Sequence, residues 1–144
     1  MKRILAVAVL TGASLWLGGG AAHASTTASI KVSPGWTYND GGKIAVTVRC
    51  PASHDLRVVS SRMLSAPVDM RNGGNLLIEV TDKTNSGRYG IELVCEASGG
   101  RPVAFSEKWV RVLQPLSGWH MRPAPALPAH FKPNVTVRTG PARG

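Results

Sequence analysis

The residues able to do chemistry are few and scattered. Beyond the first 24 positions the histidines are His54, His120 and His130, and none stands at metal-ligand spacing from a second His, Cys or carboxylate. His54 adjoins Asp55, an arrangement that could form an acid–base pair, but no nucleophile motif accompanies it and no Gly-x-Ser-x-Gly elbow occurs anywhere. The pair therefore reads as a polar loop. The segment "DKTNSGRYGIEL" offers Asp82, Thr84, Ser86 and Gly87 in the order of a calcium loop. The twelfth position, where a bidentate glutamate belongs, is Leu93, and Glu92 falls one place early. This segment is better read as a strand-connecting turn. No catalytic residue, metal or cofactor is expected, and the chain is expected not to be an enzyme.

Binding chemistry has two candidate locations. From Gln114 to Gly144 the chain carries Arg122, Lys132, Arg138 and Arg143 with no acid, a net +4, together with Trp119 and Phe131. Cations beside aromatics suit anionic surfaces, so Trp119, Arg122, Phe131, Lys132 and Arg138 are candidate contacts. The second location is "RMLSAPVDMRNGG", residues 62–74, where Met63, Leu64, Met70 and Arg71 would be contacts if this were a rigid exposed loop. Core filling is the commoner use of such Met and Leu side chains.

The N-terminus bears on the compartment. "MKRILAVAVLTGASLWLGGGAAHA" has a positive start at Lys2 and Arg3, an apolar run from Ile4 to Leu17, and small residues Ala22 and Ala24 ahead of Ser25. This is the three-part pattern of a signal peptide, residues 1–24, cut between Ala24 and Ser25. The apolar run is short for a membrane span, so no transmembrane anchor is expected. "LPAHF" lacks the Thr-Gly of a sortase signal, and no cysteine directly follows the leader. Removal of the leader leaves fifteen basic and eight acidic side chains, a net +7. In an exported chain, a pair of cysteines normally closes as a disulfide. Cys50 and Cys95 stand 45 positions apart, a loop whose closure is worth about 4 kcal/mol.

Short alternating segments must position these groups. "KIAVTVRC" puts Ile44, Val46, Val48 and Cys50 on one face; "NLLIEVT" does the same with Leu76, Ile78 and Val80. "NSGRYGIELVC" aligns Tyr89, Ile91, Leu93 and Cys95. Period-2 patterns separated by Asn-, Asp- and Gly-rich turns predict strands. Adding Ile30–Val32, residues 55–61 and residues 103–113 gives five or six strands, with 62–72 irregular. An antiparallel sandwich over residues 25–113 follows, with the two cysteines meeting between sheets. Tyr89, at the head of its strand, would bury its ring and bond backbone at the preceding turn. Residues 114–144, punctuated by prolines, predict an extended or disordered tail in which "NVTVR" could form a short strand.

The pattern "KIAVTVRCP…RVVSS…GRYGIELVC" resembles a secreted immunoglobulin-like domain common in actinomycete bacteria, a largely uncharacterised family. The resemblance spans about residues 28–113 and rests on Gly42, Cys50, Pro51, Ser60, Ser61, Gly87, Tyr89 and Cys95. It departs from the family at Ser86-Gly87-Arg88, where Pro-Gly often precedes the tyrosine. It departs from antibody domains in having the tyrosine six places before the second cysteine and no tryptophan between the cysteines. The resemblance implies an immunoglobulin-like β-sandwich with one inter-sheet disulfide and says little about activity. The expectation is an exported, non-enzymatic binding or adhesion module at the cell envelope, free or loosely held at the surface, with anionic wall polymer or an extracellular protein as partner. Nucleic acid is disfavoured. The alternative is a secreted inhibitor of an extracellular enzyme, such as a protease, acting through residues 62–74.

Overall fold

The structure is a computed structural model and describes residues 27–71, 73–116 and 122–142. These residues form nine strands: β1 (Ser29–Ser33), β2 (Trp36–Tyr38), β3 (Lys43–Arg49), β4 (Leu56–Ser60), β5 (Val68–Met70), β6 (Asn75–Glu79), β7 (Gly87–Glu96), β8 (Pro102–Leu113) and β9 (Val135–Arg138). They assemble into two sheets, ordered β1-β3-β6-β9 and β2-β8-β7-β4-β5. No helix occurs among the described residues.

Each sheet turns one side-chain face toward the other, as alternation dictates. Ile44, Val46 and Val48 of β3, with Leu76 and Ile78 of β6, meet Tyr89, Ile91, Leu93 and Cys95 of β7 and Val110 and Val112 of β8 in one buried cluster. The disulfide joins Cys50, just after β3, to Cys95 in β7, and so bridges the two sheets. At the head of β7, Tyr89 is buried and donates its hydroxyl proton to the Asn85 carbonyl at 2.7 Å.

Several features depart from the sequence reading. Residues 62–72, expected to be irregular, contain β5, which pairs with β4. Met63, Leu64 and Met70 are core residues rather than exposed loop contacts: they are buried in the same cluster as the strand residues of both sheets. Two pairings are parallel rather than antiparallel: β2 with β8, and β6 with β9.

The largest difference lies in the tail. Residues 135–138 are not free but form the fourth strand of the first sheet, in register with Leu76–Glu79. The stretch between Pro133 and Pro141 has every backbone donor a ladder needs, and its Val135 and Val137 alternate inward against the core. Thr139 then locks the end. Its backbone N–H donates to Glu79 O at 3.0 Å, its carbonyl accepts from the Thr81 hydroxyl at 2.8 Å, and its Oγ1 accepts from the Thr81 N–H at 2.9 Å.

Candidate functional site

The docked tail makes a site with the sheet it joins. On the outer face of β1, β3 and β6, Lys31, Thr47 and Asn75 lie side by side in one cross-strand row, with Ser33 and Ala45 in the next. Ala45 points outward yet is only 4% exposed, because the chain from Pro128 to Lys132 passes over this face. Between strands and tail lies a cleft of about 570 Å³, lined by Lys31, Ser33, Thr47 and Asn75 on one side and His130, Phe131 and Lys132 on the other.

Local bonding holds the tail half of the cleft in place. The Phe131 N–H reaches the Pro128 carbonyl at 3.3 Å, closing a four-residue turn. His130 occupies the third position at φ 62°, the left-handed conformation that type II turns require there. Outside glycine that conformation costs about 1 kcal/mol or more, and His, Asn and Asp adopt it most readily. Asn75 and Asn134 then clamp the chain. The Asn75 N–H donates to Asn134 Oδ1 at 2.9 Å, the Asn134 N–H to Asn75 O at 2.8 Å, and Asn75 Nδ2 to the Lys132 carbonyl at 3.1 Å. At the other end of the crossing, Tyr38 donates its hydroxyl proton to the Arg122 carbonyl, and the Arg122 guanidinium lies 5.6 Å from the Trp36 ring centroid.

The chemistry of the cleft is one-sided. Two lysines and a histidine line it with hydroxyls and a carboxamide, and no carboxylate is among its lining residues. Lysine is a compact charge with three rotatable donors, well suited to phosphate or carboxylate oxygens. Such a lining attracts anions over a Debye length of about 10 Å at 0.1 M salt.

The expected tail contacts separate in space. Phe131 and Lys132 line the cleft, Arg122 sits over Trp36, and Arg138 is paired with Glu79 at 3.0 Å. Trp119 lies outside the described residues, as do the expected leader and its cut between Ala24 and Ser25. Of the expected loop contacts, Arg71 alone is exposed, 3.8 Å from Asp69, while Met63, Leu64 and Met70 are buried. His54 and Asp55 do approach each other, at 3.9 Å, but Asp55 is buried and accepts from the Ala52 N–H at 3.2 Å, the bonding of a turn. Among the described residues no three His, Cys, Asp or Glu side chains gather in a set able to hold a metal.

Lys31, Ser33, Thr47 and Asn75 escaped sequence reasoning because each is an ordinary outward position of a strand. Only the course of the tail turns that face into a cleft. Set against protein-family models, curated proteins and solved structures, the chain has no match in any of the three.

Proposed function

We propose that this chain is an exported, non-enzymatic binding module that engages anionic polymer of the bacterial cell envelope through the cleft between its first sheet and its docked tail. The observation that carries this reading is the lining itself: Lys31, His130 and Lys132 converge with Ser33, Thr47 and Asn75 and with no acid. A polyanion running along the cleft would meet charge first and hydroxyl donors next. Coulomb attraction would set its on-rate and make binding sensitive to salt. The tail in this reading is not a loose tether but one wall of the site.

The scaffold reading is an immunoglobulin-like sandwich of the secreted actinomycete kind. Its support is the order β1-β3-β6 facing β8-β7-β4, the inter-sheet disulfide, and the tyrosine hydroxyl bonded to backbone four residues upstream. In that reading β9 stands beside β6 where such folds place another strand, but runs parallel to it. The inhibitor reading has less support, since of Met63, Leu64, Met70 and Arg71 only Arg71 is exposed.

Co-sedimentation with isolated bacterial cell walls across a salt series tests the proposal. The full chain should pellet with walls at low salt and be released by 1 M salt, where the Debye length falls to about 3 Å. The Lys31→Glu/Lys132→Glu variant, altered only at two exposed side chains, should stay in solution. Equal pelleting of the two proteins would refute the cleft as the contact.

A further inference from the structure

We infer that the outer face of the second sheet carries a separate binding notch for a single pyranose ring of a glycan. Three adjacent strands place Ser60, Glu92 and Glu107 in one cross-strand row, and the neighbouring row sets Gly90 opposite Trp109. Gly90 has no side chain to fill its place in the row. A Cβ there would stand 3.5 Å from Trp109 Cη2 and 3.0 Å from Glu107 Oε2, so the ring and the carboxylate overhang bare backbone. The result is a notch of about 230 Å³ with Arg62 at its rim.

Its chemistry suits a sugar ring. Trp109 is 50% exposed, an unusual position for so large an apolar ring, and offers a flat surface to C–H groups. Glu92 and Glu107 face each other directly, a cross-strand arrangement that is repulsive by itself. Among the described residues neither is in an ion pair. Their oxygens are acceptors only, and they suit hydroxyl donors. A cation–π partner for Trp109 is already present, since the Arg88 guanidinium lies 5.1 Å from its ring centroid. What the notch lacks is a ring with an apolar face and several O–H donors, which is a pyranose. The volume falls below the roughly 300–1,000 Å³ of sites that engulf a drug-sized ligand. One ring would therefore seat while the rest of the chain runs out over the sheet.

This site lies on the opposite sheet from the cationic cleft, and a neutral probe separates the two. Titration of the full chain with the tetramer of N-acetylglucosamine, followed by tryptophan fluorescence and by amide chemical shifts, should show saturable binding with shifts at Gly90, Glu92 and Trp109. Gly90→Val suits a strand and fills the notch, and it should weaken binding at least tenfold with unchanged thermal stability. Trp109→Ala should do the same, whereas Lys31→Glu/Lys132→Glu should leave binding unchanged. No saturation at millimolar tetramer, or equal affinity in folded Gly90→Val, would overturn the inference. Binding of only the deacetylated, amine-bearing tetramer would also overturn it, because the notch would then be taking an ammonium ion rather than the ring.

Discussion

Replacing Thr139 by valine removes one hydroxyl from a buried site while keeping the shape of the side chain. In the native protein Thr139 Oγ1 accepts from the Thr81 N–H at 2.9 Å and bonds the Thr84 hydroxyl, which itself reaches the Gly140 carbonyl at 2.9 Å. With Thr84's single proton given to Gly140, Thr139 supplies the proton between the two hydroxyls. Valine would leave the Thr81 N–H without that acceptor, costing about 1–3 kcal/mol, and would also lose the second bond, worth about 0.5–1.5 kcal/mol. No cavity offsets or adds to this, so a loss of about 1.5–4.5 kcal/mol is expected. With a urea slope of roughly 1–2 kcal/mol/M for a domain of this size, the unfolding midpoint should fall by about 1–4 M. Thr139→Ser keeps the oxygen and loses one methyl, at about 1 kcal/mol. Equilibrium urea denaturation followed by circular dichroism gives both values. A Thr139→Val midpoint within about 0.3 M of wild type at unchanged slope would refute the docked tail, because a free tail has no stability to lose.

Three further substitutions probe the frame. Cys50→Ala/Cys95→Ala opens a loop of 45 residues and should cost about 4 kcal/mol in the same assay; a loss under about 1 kcal/mol would contradict the bond's role as the main inter-sheet staple. Gly42→Ala would put a methyl 2.0 Å from Thr37 Oγ1 and 2.5 Å from the Tyr38 carbonyl oxygen. Backbone must move, so a thermal unfolding scan should show a loss of about 1–3 kcal/mol or more, and a neutral outcome would place β2 elsewhere. Tyr89→Phe removes only the bond to the Asn85 carbonyl, which water can replace at that exposed turn. About 0.5–1.5 kcal/mol is expected, and a loss above 3 kcal/mol would mean that the hydroxyl does more than close the turn.

The strands of the two sheets were legible where alternation was strong. Ile44–Val48, Leu76–Val80 and Tyr89–Cys95 announce their inner faces in sequence, and the same residues form the core. Short strands were less legible. Trp36–Tyr38 and Val68–Met70 are three residues each, too few for a period to register, and both sit at sheet edges. The tail was misread for a different reason. Proline density argued for an extended or disordered tail over 114–144 with "NVTVR" only as a possible short strand, while the alternation in that segment carried the outcome once β6 offered an open edge. Parallel pairing across so long a connection is a tertiary fact with no local signal. The cleft depends on that fact, so its cations could be counted in sequence but not located. One practical consequence concerns truncation. Ending the chain at Leu113 would remove β9 as well as the tail's charge, so lost wall binding in that variant would not separate electrostatics from folding.

The most direct test of the cleft is to see where a polyanion lands. Amide chemical shifts of the full chain would be followed during titration with polyglycerol phosphate at low salt. The shifts should cluster at Lys31, Ser33, Thr47 and residues 129–132, and vanish as salt is raised. Shifts centred on another face, or none at low salt, would contradict it.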